Sequence, residues 1–288
     1  MNGCAGTQPS ASSAQLESTP APAASAKSSD DNSLSGLRGR LAAGEKLSEL
    51  NVAAKAFGPE LGSLLAEAPA LSSLLSLNIS DNDLGVEGAR ALARSPHLKA
   101  LRELDLGGND IGDEGAAAIA RTPPWAGLET LNVSGNSIGN DGVNALTHGA
   151  LARLSSLDLS MNGIGDAGLA TLASGQNAFK SLYLLGCEIG PTGARTLAQA
   201  KGSNTLELLA LSGNNLGDEG AQALAKSTAL QNLQTLDLCA NGIGDSGALA
   251  LAQSGQLKKL KVLELFGNEI GSRGTAALRK RFGAGLHL

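Results

Sequence analysis

Leucine returns along this chain with a fixed rhythm. From residue 74 onward the phrase L-x-x-L-x-L-x-x-N-x-I/L-G-x-x-G recurs, with its first apolar position at Leu74, Leu101, Leu128, Leu154, Phe179, Leu206, Leu233 and Leu260. The successive spacings are 27, 27, 26, 25, 27, 27 and 27 residues. Chance does not produce such constancy, so a stack of like coils is the first expectation. A degenerate copy begins at Leu47, again 27 residues ahead of Leu74, with Leu50 and Val52 in place but Lys55 where asparagine is expected. It reads as an N-terminal capping coil.

Each position in the phrase has a physical use. Leu104 and Leu106 flank Asp105 at the two-residue period of a strand, which predicts leucines facing in and Asp105 facing out. Asn109 falls where the chain must turn, and its amide can satisfy backbone groups that a buried turn would leave unpaired. The same position holds Asn82, Asn136, Asn162, Asn214, Asn241 and Asn268, with Cys187 as the one substitution among the eight regular copies. Gly112 is expected to let the backbone turn, and Asp113 and Glu114 then suit the positive end of a helix. Gly115, Ala118 and Ile119 follow at three-and-four spacing, predicting a helix of roughly nine residues that ends near Arg121, before Pro123 and Pro124.

One strand and one helix per coil cannot stack straight. Parallel strands sit about 4.8 Å apart whereas packed helices need about 10 Å. The expected fold is therefore an α/β solenoid of horseshoe shape, with a parallel sheet on the concave face and short helices on the convex face. Nine strands would line roughly 38 Å of that surface.

Composition agrees with a thin, repetitive core. Aromatic residues make up only 2% of the chain and glycine fills 38 positions, so the interior must be leucine, isoleucine, valine and alanine around tight turns. A formal net charge of −5 argues against a general nucleic-acid binder, which needs a dominant positive surface. Cys4, Cys187 and Cys239 are odd in number and unrelated in spacing, which suits a reducing compartment better than a disulfide framework. No apolar run reaches the length of a membrane span, and no basic-then-apolar leader marks Sec export.

Residues 1–33 are rich in Ser, Ala and Pro and are expected to form a disordered tail. The first side-chain cation in it is Lys27, which excludes an Arg-rich presequence. Residues 34–288 are expected to form the repeat domain, about nine repeats with the first degenerate, opened by a short cap over Leu37–Leu41.

The consensus resembles the ribonuclease-inhibitor-like class of leucine-rich repeats over residues 47 to 282, which implies a leucine-rich-repeat horseshoe. The phrases Gly88-Ala89-Arg90-Ala91-Leu92-Ala93 and Gly220-Ala221-Gln222-Ala223-Leu224-Ala225 are similar to the GAxALA signature of the bacterial type III effectors called GALA proteins, here without a clear F-box. That resemblance implies a virulence protein, cytoplasmic or delivered into a host cell by the type III route. It also carries an alternative, the substrate receptor of a ubiquitin ligase. A GTPase activator of the Ran-activator type, built on repeats of the same general kind, is a second alternative.

Apparent chemistry is explained by the repeat. Gly163, Gly165 and Gly168 match the dinucleotide fingerprint G-x-G-x-x-G, but Gly242, Gly244 and Gly247 repeat it and other coils keep its last two glycines, so no cofactor is expected. His97, His148 and His287 show no metal-ligand spacing, and neither a metal nor a catalytic residue is expected. Trp125, the single tryptophan, is expected to cover the edge of the core.

The candidate site is a partner-binding surface on the concave face. Asp105, Asp158, Asp237 and Glu264 share one outward position with Asn51, Asn78 and Asn132, either as a solvated face or as an acidic recognition strip. Tyr183, Leu185, Leu208, Ala210, Val262 and Phe266 place apolar groups outward where other coils carry polar ones, the pattern of an interface anchor. Seven cations gather near the end at Lys258, Lys259, Lys261, Arg273, Arg279, Lys280 and Arg281, partly as helix-terminal and solubilising charge. The final Leu286-His287-Leu288 falls about where a tenth strand would begin, leaving a bare edge that invites end-to-end self-association.

Overall fold

The computed structural model describes residues 33–121, 125–175 and 177–288, without the side chain of Lys201. The expected tail, up to residue 32, and the helix-ending Pro123 and Pro124 lie outside the described residues. Asn32–Leu288 forms one compact unit.

That unit alternates short strands with short helices. The strands are β1 Glu49–Asn51, β2 Ser76–Asn78, β3 Glu103–Asp105, β4 Thr130–Asn132, β5 Ser156–Asp158, β6 Ser181–Tyr183, β7 Leu208–Ala210, β8 Thr235–Asp237, β9 Val262–Glu264 and β10 Leu286–His287. The helices are α1 Leu34–Ala42, α2 Glu60–Ala66, α3 Gly85–Ala93, α4 Gly112–Ala120, α5 Asn140–His148, α6 Gly165–Ser174, α7 Pro191–Gln199, α8 Gly217–Ala225, α9 Asp245–Gln253 and α10 Ser272–Phe282. All ten strands make one parallel sheet in chain order, and from α2 onward each helix packs on the next. The strands' closer spacing makes the sheet side the concave one. α1 opens the unit, with Ser33 Oγ accepting the Gly36 N–H at 3.1 Å and Leu37 and Leu41 buried.

Register turns the repeated leucine into a continuous core. The middle residues of β1 to β9, Leu50 through Leu263, pair strand to strand without a slip. Behind them runs a second buried row, Ile79, Leu106, Val133, Leu159, Leu184, Leu211, Leu238 and Leu265. Burying one such side chain contributes about 1.5–3 kcal/mol. Each draws its cover from neighbouring coils, so stability belongs to the stack and not to a coil.

The asparagine ladder closes the turns after the strands. Asn109 Nδ2 donates to Leu106 O in its own coil and to Ile79 O in the preceding one, at 3.0 and 2.9 Å, while its Oδ1 accepts the N–H groups of Asn82 and Leu84. At the exception, the Cys187 thiol still donates to Leu159 O at 3.2 Å. It offers no amide oxygen, and the Ile164 N–H turns to Asn162 O within its own coil.

The glycine that opens each helix behaves in two ways, where the sequence suggested one. Gly85, Gly112, Gly165 and Gly217 have φ between +57° and +59°, a region that only glycine enters without strain. Gly139, Gly190, Gly244 and Gly271 are extended. The residue after the glycine of the preceding coil decides between them. Asp113 Oδ1 accepts the N–H groups of Gly139 and Gly142 at 2.7 and 2.9 Å, and Asp218 Oδ1 accepts those of Gly244 and Gly247, both at 2.8 Å. Asp166 holds Gly190 in the same way, and Asp245 holds Gly274. Where that position holds Val86, Asn140 or Pro191, the following Gly112, Gly165 or Gly217 donates forward to a carbonyl of the next coil, each at 2.9 Å. The acidic residue thus caps the next helix, not only its own.

At the C-terminal edge the structure departs from the sequence reading. Leu286 and His287 do form a tenth strand, paired with Leu263 and Glu264. β9 is therefore covered, and the open edge is β10.

Candidate functional site

The concave face is built from the residues that flank the buried leucine of each strand. Its central row crosses the whole sheet: Asn51, Asn78, Asp105, Asn132, Asp158, Tyr183, Ala210, Asp237, Glu264 and His287 pair in sequence from β1 to β10. The expected acidic and amide positions are thus true lateral neighbours. Strand stacking alone brings them together, since they lie about one repeat apart in the chain.

Most of these groups already have work within their own coil. Asp105 Oδ1 accepts the Gly107 N–H at 3.0 Å, Asn132 the Ser134 N–H at 2.9 Å, Asp158 the Ser160 N–H at 2.8 Å and Asp237 the Cys239 N–H at 2.9 Å. Asn51 and Asn78 do the same for Ala53 and Ser80. The short polar side chain therefore holds the turn that leaves the strand. None of Asp105, Asn132, Asp158 and Asp237 is fully exposed, which corrects the picture of a freely solvated row. Burial pushes the carboxyls of Asp105 and Asp158 above the usual carboxylate range, against the opposing pull of those hydrogen bonds. Burial likewise raises the Tyr183 phenol, with the Asp158 charge adding to it.

The apolar outward residues do not form one patch. Tyr183 and Ala210 are direct neighbours, as are Ser181 and Leu208. Leu185, 36% exposed, follows Tyr183 on the same row of turns that ends at Phe266, which is 50% exposed. Between Leu185 and Phe266 stand the corresponding positions of two intervening strands, Ser212 and Cys239. Three strand spacings separate them, about 14 Å, so Val262 and Phe266 form a separate group from Tyr183, Leu185 and Leu208. Sequence reasoning missed Met161, which is 62% exposed and whose backbone N–H donates to Leu185 O at 2.6 Å. The available signal was an apolar residue at a turn position that other coils fill with Asp, Ala or Gly.

A second cluster lies toward the C-terminal end of the face. Asp237, Cys239 and Glu264 each bring one potential ligand atom to within 4.8 Å of the others, and His287 Nδ1 lies 3.7 Å from Glu264 Oε1. Ser212 Oγ also donates to Asp237 Oδ2. Burial and the adjacent Asp237 push the Cys239 thiol up to about 12, so on its own it is not a reactive thiolate. His287 is not one of the three groups that lie within 4.8 Å of one another, and stands beside them next to Glu264.

Other features singled out in the sequence serve the fold. Trp125 is fully buried in the core. Gly165 of the apparent dinucleotide fingerprint donates to Cys187 O, and a Cβ on Gly168 would lie 2.6 Å from Ile164 Cβ. Arg281, one of the seven terminal cations, donates to Leu251 O and Leu257 O and lies 4.8 Å over the Phe282 ring. No helix among the described residues is long and apolar enough to cross a membrane.

Comparison with known families agrees with this geometry. A family model described as Leucine Rich repeat matches residues 70–93, 97–120, 128–146, 154–173, 202–225, 229–252 and 256–278, together more than half of the chain. No curated protein matches the chain significantly.

Proposed function

Because the chain belongs to the leucine-rich-repeat family, a class of interaction scaffolds, we propose that it is a non-enzymatic protein that holds a protein partner on its concave face. One observation carries the site: Met161 and Leu185 are exposed beside the half-buried Tyr183 on a face whose neighbouring strands present Asp158, Asn132 and Asp105. Anchors of this kind concentrate binding energy when a polar surround excludes water from them. The bound surface would then be an apolar projection flanked by hydrogen-bond donors or cations. Asp237, Glu264, Leu208 and Phe266 extend the same face toward the C-terminal coils.

Crosslinking mass spectrometry of the full chain in its native cells identifies the partner. The affinities of Tyr183→Ala and Leu185→Ala for it then test the site. Each substitution is expected to cost about 1 kcal/mol or more with the far-ultraviolet dichroism unchanged; unaltered affinity in both would reject this face.

The setting belongs to the same proposal. Residues 1–33 have the Ser-rich composition of a type III leader, and the GAxALA phrases resemble those of GALA-type effectors, which suggests action inside a host cell. Within those phrases Gly88, Ala89, Leu92 and Ala93 are buried, as are Gly220, Ala221, Leu224 and Ala225. They pack the helices, so they argue for kinship of scaffold more than for a shared partner. A ubiquitin-ligase receptor would retain the ligase adaptor in a pull-down, and a Ran-type activator would accelerate GTP hydrolysis. End-to-end association through the terminal strand is part of the same proposal.

A further inference from the structure

The cluster at the C-terminal end of the concave face differs in kind from the rest of the central row. It gathers a thiol and two carboxylates from two adjacent strands, with an imidazole beside Glu264 on the third. Asp237, Cys239 and Glu264 place one ligand atom each within 4.8 Å of one another. His287, next to Glu264 across the β9–β10 pairing, adds a nitrogen donor 3.7 Å from Glu264 Oε1. Unlike Asp105, Asp158 and Asp237, Glu264 has one more methylene, and among the described residues its carboxylate caps no backbone N–H of its own turn.

We infer that Asp237, Cys239 and Glu264, joined by His287, bind a divalent transition-metal ion of the zinc class. Tetrahedral zinc with ligand bonds of about 2.0–2.3 Å sets neighbouring ligand atoms about 3.3–3.8 Å apart. The three atoms therefore need to close by about an ångström, which side-chain rotation on an open face permits. A thiolate and an imidazole select zinc, cobalt or nickel over the harder magnesium and calcium. On binding, the Cys239 S–H bond gives way to a sulfur–metal bond and its proton leaves to solvent. The ion would tie β8, β9 and the two-residue β10 together, clamping the last coil onto the sheet.

Cobalt(II) titration of the untagged full chain tests this directly. A near-ultraviolet thiolate-to-cobalt band is expected to grow to saturation at one equivalent, and zinc should bleach it whereas millimolar magnesium or calcium should not. Cys239→Ser should abolish the band, because serine stands at the matching positions Ser80, Ser134, Ser160 and Ser212 and so leaves the coil intact. His287→Ala and Glu264→Gln should each weaken cobalt binding about tenfold or more, while Cys4→Ser and Cys187→Ser should leave it unchanged. Zinc should also raise the melting temperature of the parent chain but not of Cys239→Ser. A band that survives Cys239→Ser, one that calcium displaces as well as zinc does, or no band at millimolar cobalt would each overturn the assignment.

Discussion

The carboxylate of Asp113, in the first turn of α4, accepts the backbone N–H of Gly142, in the first turn of α5, at 2.9 Å. It reaches over one coil to cap the helix of the next, and the same oxygen takes the Gly139 N–H at 2.7 Å. With those donors held from behind, Gly139 stays extended at φ −102°. Gly112, at the matching place one coil earlier, has no such acid behind it and sits at φ +58°.

Two glycines in the same I-G phrase should therefore tolerate alanine differently. Gly139→Ala puts its Cβ in ordinary contact, 3.4 Å from Asp113 Oδ2, and is expected to be near neutral. Gly112→Ala enters the left-handed region and should cost about 1–2 kcal/mol. Asp113→Ala, which frees two helix-start N–H groups, should cost about 1 kcal/mol. Urea unfolding of the three variants checks this; equal costs for the two glycines would refute the alternation.

Much of the architecture was legible because the repeat is. Leu104-Asp105-Leu106 alternates like a strand, and stacking at a constant period carries Asp105 next to Asn132 and Asp158 without further information. The glycine alternation was not legible within a phrase, since Gly139 takes its conformation from an aspartate 26 residues earlier. Cys239 and His287 were read along the chain, where their spacing means nothing; across strands, Asp237, Glu264 and His287 are consecutive neighbours. The place of β10 was legible at Leu286, but its pairing with β9 was not, because that depends on α10 ending early enough to return Leu286 to the edge of β9.

Cys187 marks a break in the asparagine ladder that can be mended. Asn214 Oδ1 accepts the N–H groups of Cys187 and Ile189 at 3.0 and 2.9 Å, but Cys187 cannot do the same for Ile164. Cys187→Asn restores the amide oxygen in a slot that the other regular coils fill with asparagine. Each recovered hydrogen bond contributes about 0.5–1.5 kcal/mol, so a rise of about 1–2 kcal/mol in unfolding free energy is expected. Chemical denaturation measures it; a loss of stability would mean that the turn has settled around sulfur and cannot take the amide.

The carboxyls of Asp105 and Asp158 are pushed above their unfolded values chiefly by burial. The folded state then binds these protons more readily than the unfolded chain does. Their ionisation therefore destabilises the fold as pH rises from the ordinary aspartate range through the raised folded values, and the cost persists at neutral pH. Asp158→Asn keeps an oxygen for the Ser160 N–H and removes the charge. It should raise the melting temperature at pH 7, with the gain shrinking as the pH falls through the raised folded value toward the ordinary aspartate range and gone below that range. The same variant should lower the Tyr183 phenol pKa, since the Asp158 charge contributes to its elevation. Thermal melts across pH and ultraviolet titration of the tyrosine provide the readings; a gain independent of pH would exclude burial of the charge as its cause.

The last coil offers a final test, because β10 is only two residues long yet separates β9 from solvent. Short edge strands flanked by lysine blunt the pairing of open sheet edges, and Lys258, Lys259 and Lys261 stand just ahead of β9. Removing residues 286–288 would bare the backbone of β9 and leave Val262 and Phe266 beside an unpaired edge. Residual end-to-end association of the full chain should then strengthen, with the truncated chain reaching dimer mass at a concentration at least tenfold lower. Light scattering over a wide concentration range compares the two. Superimposable curves would show that β10 does not guard the edge, and that whatever association occurs uses another surface.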